Sequence, residues 1–307
     1  MEKIAFLFPG QGSQFAGMGK ALADTYPSAR LVFEEADQAL GFALSKLCFE
    51  GTDEDLKLTQ NTQPAMLTVS IAALAVLRDN GFAPDYVAGH SLGEYSALVA
   101  AGGLQFADAV RLVRKRGQYM QEAVAPGVGA MAALMKLPDG ALNAILEEAA
   151  QGEIVTAANL NSPDQIVIAG HTAAVNRAVE LAKAAGAKRA ILLVVSAPFH
   201  CPLMQPAQER LAADLNATAF SDLKIPLINN WQAREIRSAD DARQGLFEQV
   251  PNPVRWMDSI RYLASKGVGR FIEVGAGSVL TGLLRNIDST LKGAKFGEPA
   301  DLEKLRY

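Results

Sequence analysis

Cysteine and histidine are scarce in this chain: its 307 residues hold two of the first and three of the second. Cys48 and Cys201 stand far apart, with no paired-cysteine or Cys/His spacing, which excludes a disulfide framework and a zinc site, so no metal is expected. An excess of one charge is also lacking. The 29 Lys and Arg against 33 Asp and Glu leave a net −4, which excludes the broad basic footprint of a nucleic-acid binder. The longest apolar run, Met66 to Leu77, is broken by Thr68 and Ser70 and is too short to span a membrane. Met1 to Phe8 gives way to Pro9-Gly10 too early for a signal-peptide core. Repeats and low-complexity tracts are missing too. The remainder is the composition of a globular, cytoplasmic protein long enough to bury a large core.

What is present is a serine between glycines. Val87 to Glu94 reads VAGHSLGE, where a short strand beginning at Tyr86 passes into a helical stretch. A tight strand-to-helix turn holds such a serine in a strained conformation, and small residues at Gly89 and Gly93 let the backbone fold past it. The turn also aims the unpaired N–H groups of a helix N-terminus at charge developing on an acyl group. An ordinary serine cap after a strand has the same pattern.

Along the chain, a strand at Lys3–Phe8 runs into the glycine loop Pro9 to Gln14. Helical patterns cover Met18 to Leu58, and a long helix covers Gln63 to Asn80. Strands alternating with helices, with glycine turns at strand ends, argue a mostly parallel α/β sheet. Pro/Gly breaks at Val124–Gly129 and Ser196–Pro198 bracket a block reading strand, helix, strand, strand, helix, strand, the order of a ferredoxin-like unit. The expected organisation is a large α/β domain from 1–126 and 197–307 with a small domain, 127–196, inserted into it and the site in the cleft between them. The tail from Gly293 shows no periodicity and is expected to be loosely held.

An acylated serine needs a base. His90 adjoins the serine, where neighbours on a tight turn point apart, so it reads as a site-lining residue. His171 reads as a helix cap. By elimination the base is His200, in the proline-bracketed loop Ser196 to Pro202, against the plainer reading of a solvated loop histidine. The loop Gly10 to Gln14 lacks the Lys-Ser/Thr ending of a phosphate-binding loop. Its other use is to bring one backbone N–H to the acyl oxygen, with the N–H of Leu92 as the second. Arg111, Arg114, Lys115 and Arg116 form a basic run, mostly a solvated helix face. One inward arginine, Arg116, would clamp a carboxylate, with Gly117 beside it leaving room for a ligand.

Together these features resemble the malonyl-CoA:acyl-carrier-protein transacylase family. The carrying segments are FPGQGSQ (from Phe8), GHSLGEYSAL (from Gly89), RGQYMQEA (from Arg116), AANLNSPDQIVIAG (from Ala157), APFHCPLM (from Ala197), NPVRW (from Asn252) and EVGAGSVLTGL (from Glu273). The resemblance implies an α/β fold with a hydrolase-like core, a mostly parallel sheet and an inserted ferredoxin-like α+β subdomain. It implies that Ser91 is acylated and that His200 is its base, oriented by a main-chain carbonyl at Gln249. Gln11 and Leu92 are then the oxyanion donors and Arg116 the partner of the malonyl carboxylate. Asn159 and Asn161 lie near the pantetheine arm, and Phe199 favours malonyl over methylmalonyl groups. The implied substrate is malonyl-CoA and the implied partner an acyl carrier protein. No cofactor, nucleic acid or membrane is expected to take part, and the chain is expected to be a monomer.

Three other readings stay open. A discrete acyltransferase for a polyketide synthase or a malonate decarboxylase would share these motifs. An esterase or thioesterase would place an acid between the serine and a late histidine. A non-catalytic carrier-binding module would not need the serine, histidine and arginine together. Lys188-Arg189 is a candidate contact for CoA phosphates or an acidic carrier, or simply a solvated strand edge.

Overall fold

A computed structural model of the chain describes residues 2–306. In chain order, β1 (Lys3–Phe8) is followed by helices α1 (Lys20–Thr25), α2 (Pro27–Leu40), α3 (Leu44–Glu50), α4 (Asp53–Lys57) and α5 (Thr59–Asp79). Next come β2 (Tyr86–Gly89), α6 (Gly93–Ala100) and α7 (Phe106–Glu122). A second group is β3 (Gly129–Met135), α8 (Ala141–Ala150), β4 (Val155–Ser162), β5 (Gln165–His171), α9 (Thr172–Ala184) and β6 (Arg189–Leu192). The chain returns through α10 (Gln205–Ala217), β7 (Leu227–Ile228), β8 (Glu235–Ile236), α11 (Ala239–Gln249), α12 (Trp256–Ser265), β9 (Val268–Val274), α13 (Val279–Ile287) and β10 (Lys292–Phe296).

The strands form two sheets. A six-stranded sheet has the order β10-β9-β1-β2-β7-β8 and is parallel except at the β7–β8 edge. Its central strands are buried on both faces, under α5 to α7 on one side and α12 and α13 on the other, so they read as unbroken apolar runs and not as alternation. The second sheet is antiparallel, β4-β5-β3-β6, with α8 and α9 on one face. This is ferredoxin-like pairing. Its other face, Met131, Ala133, Val167 and Ala169, packs on Cys201, with Phe199 and Leu203 against it. Backbone bonds from Leu160 N to Val254 O and from Val254 N to Ala158 O tie β4 to the segment before α12.

Three expectations from the sequence need correction. The tail from Gly293 is not loose: β10 begins at Lys292 and pairs in parallel with β9 along its length, and Phe296 and Leu305 are buried. A five-residue edge strand is too short for a period to show, and its interior partner supplies the order. The long helix α5 begins at Thr59, earlier than Gln63. Pro64 lacks the N–H that would bond the Gln60 carbonyl; the Arg114 guanidinium donates to that carbonyl at 2.7 Å instead. His171 occupies the cap position of α9, but its Nδ1 accepts the Ile154 N–H at 2.9 Å and caps nothing.

Candidate active site

β1 and β2 are adjacent and parallel, with Phe8 opposite Gly89, so the loops that follow them leave the same sheet edge side by side. The His90 N–H donates to the Phe8 carbonyl at 3.0 Å. Contacts here admit no side chains. A Cβ on Gly89 would lie 1.9 Å from the Gly93 carbonyl carbon, and one on Gly93 would lie 2.0 Å from the Phe8 oxygen. Between them Ser91 adopts φ 51°, the left-handed conformation that a non-glycine residue adopts only under constraint. The Asn230 side chain braces this turn: its Oδ1 accepts the Ser91 N–H at 2.6 Å and its Nδ2 donates to the Gly89 carbonyl at 2.6 Å.

His200 arrives on the segment between β6 and α10. It too lies at positive φ, 59°, and is buried. Its Nε2 is 2.7 Å from Ser91 Oγ and its Nδ1 is 2.9 Å from the Gln249 carbonyl oxygen. That carbonyl can only accept, so the proton sits on Nδ1 and Nε2 is free to take the serine proton. Burial, and then the nearby Arg116 charge, push the imidazole down to about 3, which keeps it neutral.

Of the basic run on α7, Arg111 and Lys115 pair at the surface with Asp108 and Asp214, while Arg116 is buried. Its guanidinium donates to Gln63 Oε1 at 2.7 Å, Gln249 Oε1 at 2.9 Å and Ser91 Oγ at 3.1 Å, and stacks 5.4 Å from the Tyr95 ring centroid. Its Nε has no partner among the described residues. Gly117 does not make room for a ligand. A Cβ there would stand 2.7 Å from Gln60 Cα and the Thr59 oxygen, so the glycine lets α7 close on the start of α5.

Gln11 lies in the loop after β1, where its side-chain Oε1 accepts from Thr59 Oγ1 at 2.8 Å. Leu92 directly precedes α6, with its side chain buried beneath the elbow. The two loops that carry them approach each other at neighbouring strand ends. Gly10 permits this approach, since a Cβ on it would lie 2.4 Å from the His90 oxygen. His90 points away from Ser91 as expected: its Nε2 is 2.8 Å from Asn161 Oδ1, and its ring lies 5.5 Å from that of Trp256. Asn159 and Asn161, on β4, are buried, and Phe199 bridges the cores beneath the two sheets. Lys188 and Arg189 are exposed. Among the described residues no three His, Cys, Asp or Glu side chains gather as a metal site, and no helix is long and apolar enough to cross a membrane.

Four groups at the centre were not singled out from sequence: Glu94, Asn230, Gln63 and the side chain of Gln249. Glu94 alone carried a signal, being a carboxylate inside an otherwise apolar helix face immediately after the elbow. The arrangement as a whole is a serine hydrogen-bonded to a neutral imidazole, with a buried cation in contact with the serine oxygen. That is equipment for acyl transfer from an anionic acyl donor.

Comparison with known proteins agrees. The model of the acyl transferase domain matches residues 5–302. The chain is 51% identical to the malonyl CoA-acyl carrier protein transacylase of Bacillus subtilis (strain 168), over 99% of this chain and 96% of that protein. It is 49% identical to the protein of the same description from Escherichia coli (strain K12), over 98% and 97%. Among solved structures, an acyl carrier protein S-malonyltransferase from Vibrio cholerae superposes with a TM-score of 0.97 at 45% identity, covering 99% of each chain. A type II PKS acyl-carrier protein in complex with its malonyl-transacylase matches with a TM-score of 0.96 at 45% identity, over 98% of each chain.

Proposed function

The chain belongs to the acyl transferase domain family, and from that premise we propose that it moves the malonyl group of malonyl-CoA to the phosphopantetheine thiol of an acyl carrier protein, for fatty-acid synthesis. The observation that carries this reading is the contact of one buried guanidinium, Arg116, with both the nucleophile Ser91 and the Gln249 carboxamide.

In the first half-reaction Ser91 Oγ gives its proton to His200 Nε2 and attacks the thioester carbonyl. The developing oxyanion is met by the N–H groups of Gln11 and Leu92. The imidazolium, held through Nδ1 by the Gln249 carbonyl, protonates the departing CoA sulfur. In the second half the pantetheine thiol gives its proton to His200, attacks the malonyl-serine ester, and Ser91 recovers its proton as the product thioester leaves.

Arg116 gives the reaction its selectivity. The malonyl carboxylate replaces the contact with Ser91 Oγ by a charge-assisted pair and frees the serine hydroxyl, while Gln63 and Gln249 go on holding the guanidinium. It also neutralises the positive charge that helps hold His200 down, so the right acyl group strengthens the base that acylates it. An acetyl group does neither. Phe199 limits the α-carbon to an unsubstituted chain, Asn159 and Asn161 line the pantetheine path, and Lys188-Arg189 meets anionic phosphates or carrier side chains. Residues 127–196 act as the small domain over the cleft of 1–126 and 197–307.

Intact mass after brief exposure to malonyl-CoA tests the reading. A malonyl adduct is expected with malonyl-CoA and not with acetyl-CoA, absent from Ser91→Ala and discharged by a carrier-protein thiol. No adduct, or discharge to free malonate without a thiol, would replace it with a hydrolase. The similarity to the polyketide complex favours a second carrier class; faster discharge by a polyketide carrier than by a fatty-acid carrier would assign the chain to that pathway.

A further inference from the structure

Glu94 takes no part in the steps above, yet it is fully buried three residues after the nucleophile, in the first turn of α6. We propose that Glu94 is a positioning residue that sets the orientation of the Gln249 carboxamide and thereby keeps Arg116 aimed at the acyl group. The inference rests on the acyl-serine reading above.

Glu94 Oε2 accepts from Gln249 Nε2 at 2.8 Å and from the Asn230 N–H at 3.0 Å. No basic side chain pairs with it directly among the described residues, since its nearest cation is reached through the amide. Gln249 donates from Nε2 to the carboxylate and accepts at Oε1 from Arg116, which makes a carboxylate–amide–guanidinium relay. Turning the amide over would set its oxygen against Glu94 and its NH2 against Arg116, replacing two attractive contacts by two repulsive ones. With a neutral group at position 94 that preference weakens, resting on the Ser91 carbonyl and Asn230 Oδ1, which accept from Gln249 Nε2 at 3.0 and 3.3 Å. The guanidinium is then held less firmly between Gln63 Oε1 and Gln249 Oε1, with its free hydrogen aimed less well at the acyl pocket.

The same carboxylate steadies Asn230, which braces the Ser91 turn, so the two roles need separating. Burial pushes the Glu94 carboxyl up to about 7, while the Asn230 and Gln249 bonds and the Arg116 charge oppose that rise. The charge therefore depends on the relay that it orients.

Two acyl donors compared in Glu94→Gln separate the roles. One oxygen, Oε2, accepts both the Asn230 N–H and Gln249 Nε2, so a carbonyl at that place keeps both bonds and loses the charge that strengthens them. Single-turnover acylation by malonyl-CoA should fall by about tenfold or more, chiefly as a higher half-saturating concentration. Acylation by p-nitrophenyl acetate, a neutral ester that uses Ser91 and His200 without a carboxylate clamp, should fall less than about threefold. In an Arg116→Ala background Glu94→Gln should add little further loss with malonyl-CoA. Equal losses with both donors, no loss with either, or losses that multiply in the double variant would overturn the proposal. If Glu94→Gln does not fold, Gln249→Leu reads the same link: a malonyl-specific loss supports it and a uniform loss rejects it. Failure of the acyl-transfer reading itself would instead appear as no malonyl adduct on the unaltered protein.

Discussion

Ser91 and His200 meet at 2.7 Å and both lie at positive φ, 51° and 59°, but two different kinds of constraint hold them there. The serine turn is held by its own glycines packed on the end of β1, with the Asn230 side chain as a brace. Gly89, Gly93 and the end of β1 approach so closely that any Cβ would collide with backbone. The histidine loop is held from a distance. Pro198 packs against Gly129 of β3, the Cys201 thiol donates to the Pro198 carbonyl at 3.0 Å, and the imidazole hangs on the carbonyl at the end of α11. The nucleophile is thus fixed by close packing at the edge of one sheet, whereas the base is placed only once both sheets have packed.

The largest test of this contrast removes the base. His200→Ala should slow acylation of Ser91 by roughly 10⁴-fold, followed by intact mass in single-turnover reactions with malonyl-CoA; a modest loss would mean that another group takes the serine proton. Gly89→Ala comes next. Its Cβ has only backbone to push against, so a loss of at least about 3 kcal/mol in urea unfolding is expected. Gly129→Ala should separate the two regions. The new methyl would stand 2.3 Å from Pro198 Cγ, on a side chain in a loop that can shift. It should lower stability by only about 1–3 kcal/mol, yet cost more than about tenfold in acylation as His200 is displaced. Stability losses in the reverse order would break the comparison.

The smallest effect is a pH dependence. The folded protein holds His200 neutral down to about 3, whereas in the unfolded chain it protonates near its ordinary value of about 6.5. Between those values the unfolded state binds the extra proton, so this group's contribution to stability falls as pH is lowered through that window. His200→Gln lacks the penalty. Relative to the unaltered protein, it should gain about 2 kcal/mol between pH 7.5 and pH 5 in paired urea titrations. A constant difference would show that His200 is not buried neutral.

Several features were legible because they rest on local sterics. GHSLGE marked the elbow, and the strand-helix order of 129–192 marked the second sheet, since the periods of strands and helices survive within each segment. Other readings failed where a distant partner intervened. The first turn of α5 lay outside the helix read from the sequence, and the Gln60 carbonyl that Pro64 leaves free there is taken by Arg114, 54 residues on. Gly117 looked like space for a ligand until α5 filled it. The strand at Lys292–Phe296 is ordered by β9, and no pattern of its own announces it.

By itself the sequence determined the elbow, the two-sheet architecture and the short roster of candidates for nucleophile, base and carboxylate clamp. Backbone sterics and apolar periodicity act over a few residues, and three histidines leave little choice. Only the tertiary structure decided how the polar interior is satisfied. Asn230 braces a serine 139 residues away, and Glu94 and Gln249 join across 155 residues. A buried polar group must find a partner, but which one it finds depends on where the packed chain brings donor and acceptor together, and no local pattern encodes that.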